Sequence, residues 1–321
     1  MKVRSNHGAA GEAHGKLILA GEHIVVYNKP AIAIPFPLWI RAFVTEHVGE
    51  ITIASSIYTG NLEGMPSKLL GLVQCINQSL ELCNQPKEGI RIEVESQIPM
   101  GRGLGSSAAA ATAIVRGMYG YFQKPLLEEE LYSLVEIAEN YAHGKPSGID
   151  MMAVVNDEPI FYQKSQGASP IETPIPFYMV VADTGEVGDT KIAVEHVKEL
   201  RQQRPNVINP IIDEIEDIVW KAKEAILNGD SKLLGSLLLK NHENLKKLEV
   251  SNFMLDHLVE IAMRAGALGA KLTGGGMGGC IIALTKDMTD ARKVGEALIK
   301  EGAREAWYFS TDSKDLTRLE R

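Results

Sequence analysis

Between positions 99 and 108 the chain reads Pro99, Met100, Gly101, Arg102, Gly103, Leu104, Gly105, Ser106, Ser107 and Ala108. These residue types suit a loop that holds phosphate through its main chain. Glycine at 101, 103 and 105 lets the backbone turn and approach a ligand at distances a Cβ would block. The two serines stand where an Ala-rich helix begins, so free N–H groups and the positive end of the dipole face the loop. Consecutive N–H groups can cradle a polyphosphate, and a serine hydroxyl can reach Mg²⁺. The loop follows neither the Walker pattern of a P-loop nor G-x-G-x-x-G, which argues against a P-loop NTPase and a Rossmann dinucleotide site. A plain serine-capped turn is the alternative.

Three further clusters carry chemically capable groups. Lys16 opens an apolar β-like run that Gly21, Glu22 and His23 interrupt. A lysine there can simply cap a strand edge, but an acid and a histidine inside an apolar run must face a ligand or a partner charge, because burying charge is costly unless it is paired. The next cluster runs from Glu139 to Asp150. Glu139 falls in the last turns of a helix, where the dipole opposes an acid, and Mg²⁺ shared with the Ser107 hydroxyl would resolve that conflict. Asp150 closely follows Pro146, Ser147 and Gly148, a rigid turn that could fix a carboxylate in a cleft; capping a helix over Met151 to Val155 is its other role. The last cluster is Lys271, Thr273 and then Gly274, Gly275, Gly276, Met277, Gly278 and Gly279. Five glycines in six residues make the backbone curl or approach something closely. A hairpin needs only one or two glycines, so a second loop contacting phosphate or substrate is favoured.

The elements that must position these groups follow from periodicity. Leu17 to Tyr27 reads as two short strands, and Ala31 to Phe36, Trp39 to Glu46 and Ile51 to Ala54 as three more, punctuated by Pro30, Pro35, Pro37 and Gly49. Helical spacing covers Pro66 to Cys83, the Ala-rich stretch to about Phe122, and Leu126 to His143. A strand over Ile90 to Val94 leads into the first glycine loop. Strands over Pro159 to Gln163 and Tyr178 to Asp183 flank a Pro-rich connection, Pro170 to Pro176, which marks a domain boundary. Helices follow over Asp189 to Gln203, Asn209 to Leu227, Ser231 to Leu248 and Asn252 to Ala265. A strand at Gly269 to Leu272, the second glycine loop, a strand at Cys280 to Leu284, a helix over Asp287 to Lys300 and a strand near Trp307 complete the chain. Strands and helices mix without strict βαβ alternation, so the class is α+β with two domains.

The composition is that of a globular protein, with 45% hydrophobic and 23% charged residues in a chain of 321. A net charge of −8 without long single-sign runs leaves no electrostatic footprint for nucleic acid or an anionic membrane. No apolar run approaches a membrane span, and the N-terminus lacks a signal-peptide core. Cys75, Cys83 and Cys280 have no metal-like spacing and read as reduced thiols, which fits the cytoplasm.

Together the clusters resemble the motifs of the GHMP kinase superfamily and, within it, of the mevalonate kinase family in the form found in Gram-positive bacteria. The matching stretches are Gly-Lys-Leu-Ile-Leu-Ala-Gly-Glu-His-Ile-Val-Val-Tyr from Gly15, Gly-Leu-Gly-Ser-Ser-Ala-Ala from Gly103, His-Gly-Lys-Pro-Ser-Gly-Ile-Asp from His143, Ala-Asp-Thr-Gly from Ala182, and Lys-Leu-Thr-Gly-Gly-Gly-Met-Gly-Gly-Cys from Lys271. The resemblance implies a nucleotide-binding N-terminal domain of mixed α/β structure over residues 1–175, a ferredoxin-like α+β domain over 176–321, and an active site in the cleft between them. It implies ATP bound by the loop from Pro99 to Ala108, and Mg²⁺ on Ser107 and Glu139. Lys16 and Asp150 would stand at the reacting hydroxyl, with Asp150 as base, while Glu22, His23, Asp150, Thr273 and Gly275 would contact substrate. The implied reaction is phosphorylation of the primary hydroxyl of (R)-mevalonate to 5-phosphomevalonate, on the route to isoprenoids. The implied partners are this small molecule and ATP, with no nucleic acid or membrane; monomer and homodimer both stay open. His14, Met277 and Met151 depart from the family's usual proline, glycine and asparagine. A sister kinase acting on phosphomevalonate, homoserine or a sugar is the nearest rival reading, and a non-catalytic nucleotide-binding regulator a more distant one.

Overall fold

The computed structural model describes residues 8–143 and 146–311; Gly144 and Lys145 of the motif that begins at His143 lie outside them. The described chain divides into two units of internal contact. One takes the residues up to Gly15, Leu38–Pro99 and Gly105–Val155; the other takes Lys16–Pro37, Met100–Leu104 and the chain from Asn156 onward. The passages between units therefore fall at Lys16 and on both sides of the first glycine loop, and residues 156–175 keep company with the C-terminal part of the chain.

β1 (Ala9–Ala20) and β2 (Ala31–Glu50) pair; burial alternates along the start of β1 and the later part of β2, while the end of β1 from Gly15 and the start of β2 to Phe36 are buried without a break. β2 is one strand where the prolines suggested two. Its ladder with β6 (Ile160–Gln163) ends at Ala33, and its ladder with β5 (Glu88–Ser96) begins at Ile40. Pro35 and Pro37 fall between these two ladders, where a missing N–H interrupts neither. In the first unit β2 continues into the order β4 (Thr59–Asn61), β3 (Thr52–Ala54), β5, β2, with β3 parallel to β5. Helices α1 (Leu70–Leu82), α2 (Ser106–Tyr121), α3 (Glu128–His143) and α4 (Ile149–Val155) complete this unit. α2 packs against the other three, and its alanines bury almost without remainder, as close helix packing requires.

The second unit holds β7 (Gly167–Pro170) beside β6, and then a sheet of its own. That sheet has the order β11 (Glu305–Ser310), β8 (Tyr178–Asp183), β10 (Cys280–Thr285), β9 (Gly269–Thr273), antiparallel throughout. Between β8 and β9 run α5 (Thr190–Gln203), α6 (Pro205–Leu227), α7 (Ser231–Lys247) and α8 (Phe253–Arg264), and α9 (Met288–Lys300) joins β10 to β11. Strand, helices, strand, strand, helix, strand in this order is the ferredoxin-like arrangement. Its core includes Phe36, which meets Trp307 and Phe309 edge-on at ring centroid distances of 5.9 and 5.6 Å. The register pairs Cys280 with Asp183 on one side and Thr273 on the other, so β8 ends, β9 ends and β10 begins at one edge of the sheet. Among the described residues no helix is long and apolar enough to cross a membrane, and the three cysteines are buried and free.

The second half of the expected β run after Lys16 is no strand. After Ala20 the chain turns, His23 adopts φ 65, and Ile24–Tyr27 is a short 3-10 helix with Ile24 and Val25 buried. Apolar side chains satisfy burial in either conformation, which is why the pattern alone suggested a strand.

Candidate active site

In the second unit, the end of β1 is fastened to β9 by a hydroxyl. Thr273 Oγ1 accepts from the Ile18 N–H at 3.0 Å and donates to the Ile18 carbonyl at 3.1 Å. Two residues earlier the Lys16 N–H donates to the Leu104 carbonyl at 3.0 Å, which ties the strand to the first glycine loop. The Lys16 side chain is 1% exposed.

The turn after β1 then presents Glu22 and His23. Glu22 is 1% exposed and pairs with Lys271, which is fully buried; Asn241 on α7 donates to the second carboxylate oxygen at 3.1 Å. Burial pulls the Lys271 pKa below the ordinary lysine range, Glu22 opposes that, and the Lys16 charge adds to the fall. Two lysines and one carboxylate thus share a dry neighbourhood. His23 Nε2 donates to the Gly275 carbonyl at 2.9 Å, and burial holds its pKa at about 4, so the ring is neutral with Nδ1 unprotonated. A non-glycine residue at φ 65 with a buried polar ring is the kind of strained position that clusters at functional sites. Lys271 and Asn241 are the partners that sequence reasoning did not assign. The available signal was polar Asn241, His242 and Asn244 in the buried stripe of α7.

The two glycine loops meet in this unit. A Cβ on Gly274 would lie 2.9 Å from the Gly103 Cα, and one on Gly276 would lie 2.1 Å from the Val250 carbonyl oxygen. What the glycine-rich segment approaches so closely is the protein's own backbone, including the first glycine loop. Met277, where the family pattern has glycine, takes φ 56 and is anchored by its N–H donating to the Val250 carbonyl at 2.7 Å. Arg102 does not extend from its loop: Nε lies 2.9 Å from Asp183 Oδ1 and Nη2 donates to the Gly185 carbonyl at 3.0 Å.

The first unit holds Pro99, Gly105, Ser106, Ser107, Ala108, Glu139 and Asp150. Gly105 is the N-cap of α2 at φ 78, a conformation suited to glycine, and it offers no side chain to the first N–H groups of the helix. Those N–H groups and the half-buried Ser106 and Ser107 are what this end of α2 presents. Glu139 is 3% exposed on α3, which packs against α2. Asp150 lies in the first turn of α4 rather than ahead of it, since the helix begins at Ile149.

A ferredoxin-like domain, a glycine-capped helix with open N–H groups and buried charges beside a second glycine loop define the class of the GHMP kinases. Models of the GHMP kinase N-terminal and C-terminal domains match residues 69–157 and 222–304. A mevalonate kinase of Thermococcus sibiricus is 37% identical over 300 residues, covering 86% of this chain and 88% of the relative. The crystal structure of L. major mevalonate kinase in complex with R-mevalonate superposes with a TM-score of 0.84 at 26% identity, over 97% of this chain and 98% of that one. The structure of mevalonate kinase from methicillin-resistant Staphylococcus aureus does so with a TM-score of 0.70 at 32% identity, over 95% and 98%. The chain belongs to the mevalonate kinase family. The first of these relatives is archaeal, so the comparisons do not single out the Gram-positive form that the motifs suggested.

Proposed function

We propose that this protein transfers the γ-phosphoryl group of ATP to the primary hydroxyl of (R)-mevalonate, giving 5-phosphomevalonate and ADP in the cytoplasm. The observation that carries the reading is the start of α2, where Gly105 at φ 78 opens a helix whose first N–H groups no side chain of the cap covers. Phosphoryl transfer asks of a protein mainly alignment and compensation of spreading negative charge. In this reading the N–H groups from Gly103 to Ser107 cradle the phosphates and Lys16 adds positive charge. Asp150 takes the hydroxyl proton, and Glu22, His23, Thr273 and Gly275 shape the substrate side.

Mg²⁺ fits the residues present. Ser107 and Glu139 offer hard oxygen donors on two helices that pack together. Among the described residues no group of three or more His, Cys, Asp or Glu is gathered for a metal. Mg²⁺ commonly takes only one or two protein oxygens and completes its shell with phosphates and water. When bound, it would neutralise charge on the phosphate oxygens.

Asp150→Asn keeps the shape and removes the base. Turnover should fall on the order of 10² to 10⁴-fold, while binding of a fluorescent ATP analogue changes little. Near-normal turnover would make Asp150 structural. A turnover screen of mevalonate against phosphomevalonate and galactose tests the acceptor, and preference for either of the latter two would overturn the assignment.

A further inference from the structure

A phosphate cradle works only when its N–H groups converge before the ligand arrives. Between Pro99 and Gly105 the loop contains no helix or strand, and glycine at 101, 103 and 105 leaves its backbone conformationally free. Within the second unit the Arg102 side chain restrains it. Arg102 Nε lies 2.9 and 3.0 Å from the two carboxylate oxygens of Asp183, and Nη2 donates to the Gly185 carbonyl at 3.0 Å. Asp183 is itself set, because its Oδ1 accepts from the Gly185 N–H at 2.8 Å. The neighbouring Gly101 carbonyl accepts from the Gly188 N–H at 3.0 Å, and a Cβ on Gly279 would lie 2.8 Å from the Arg102 carbonyl oxygen. The loop is thus held from its side chain, its carbonyl and its packing against the segments that leave β8 and enter β10.

The pair is buried on both sides, with side-chain exposures of 7% and 3%, and Arg102 Nη1 is buried with no hydrogen-bond partner among the described residues. A buried guanidinium that leaves a donor unsatisfied is a poor device for stability alone, since apolar residues of similar volume often do as well or better. What an apolar pair cannot supply is orientation, because a planar guanidinium that gives Nε to the Asp183 carboxylate and Nη2 to the Gly185 carbonyl fixes angle as well as distance.

We propose that Arg102, acting through Asp183, is a positioning residue for the nucleotide: the buried pair sets the glycine loop in the conformation that receives the ATP phosphates. The inference rests on the reading of the loop as the ATP loop. The test uses the full chain, with KM for ATP, KM for mevalonate, kcat and the thermal midpoint measured for Arg102→Lys, Asp183→Asn and the double replacement Arg102→Met with Asp183→Leu. Lysine keeps the charge but not the fork, so Arg102→Lys should raise KM for ATP about tenfold and leave KM for mevalonate within about twofold. The apolar double variant should recover the thermal midpoint lost by Asp183→Asn while KM for ATP stays high. An unchanged KM for ATP in Arg102→Lys, an equal rise in both KM values, or recovery of KM along with stability in the double variant would overturn the inference. Ser107→Ala separates it from the reading beneath it. If that variant raises KM for ATP while Arg102→Lys does not, the clamp alone fails; if neither does, the ATP-loop reading fails with it.

Discussion

A fully buried lysine keeps its proton only while a nearby anion holds it there, and for Lys271 that anion is Glu22. The consequence is a strong mutual dependence. Lys271→Met leaves a buried carboxylate without its cation, and Glu22→Gln leaves a buried ammonium without its anion. Each should destabilise by about 3–5 kcal/mol, the cost of removing one partner from a buried pair. Combining them removes both charges, so the double variant should cost far less than the sum. Urea unfolding of the four species at pH 7 closes the cycle; additive losses would show that the two groups do not depend on each other. Asn241 belongs to the same unit of behaviour, because its amide orients the carboxylate oxygen that Lys271 does not take. Glu22 and His23 could be picked out as oddities in an apolar run. The partners of Glu22 could not: Asn241 lies 219 residues away and Lys271 249, and only folding brings them together.

Among the elements, the two glycine loops act as one object because neither leaves room for a Cβ on the other. Gly274→Ala should destabilise by about 1–3 kcal/mol through its positive φ. It should also raise KM for ATP, because the new methyl at 2.9 Å from the Gly103 Cα pushes on the first loop. Gly266→Ala is the control: φ 106 strains it, yet no heavy atom lies within 4 Å of the added methyl. Calorimetry and ATP kinetics on both variants separate strain from contact, and an unchanged KM for ATP in Gly274→Ala would uncouple the loops. Element boundaries were legible where punctuation and periodicity agreed. β8 falls at Tyr178–Asp183 as expected, and α5 is capped by Asp189, whose side chain accepts from the Lys191 and Ile192 N–H groups. β7 escaped notice because Gly-Ala-Ser-Pro alternates in nothing, and the strand exists by pairing with β6. The multiple glycines of the second loop were legible as a demand for close approach, but their partner, the first loop, was not.

For the whole molecule, the α+β class was within reach of the sequence because strand and helix patterns mix without strict alternation, whereas the ferredoxin-like half followed from the family resemblance and not from the pattern of its short strands. The interleaving of the two units was not within reach, since passages at Lys16 and beside the first glycine loop leave no compositional mark. A bulk property follows from groups that the sequence showed only as histidines. Burial holds both His23 and His242 at about 4, against an ordinary value of 6.5, although Asp256 at 3.3 Å from His242 Nε2 opposes the fall. As the pH drops below 6.5 the unfolded chain takes up both protons while the native protein refuses them until about pH 4. Across that interval the unfolded state binds more protons, so stability falls with falling pH, and the loss levels off below it. Each group can contribute up to about 3 kcal/mol, at roughly 1.4 kcal/mol per pH unit. His242 accepts the Leu272 N–H through Nδ1, so His242→Gln can keep an acceptor there while removing the titration. Urea midpoints measured from pH 4 to pH 7 should decline less steeply toward acid in His242→Gln than in the parent protein, even if the variant begins less stable. Parallel curves would mean that His242 gains its proton in the native state as readily as in the unfolded one, and that its burial in α7 carries no acid sensitivity.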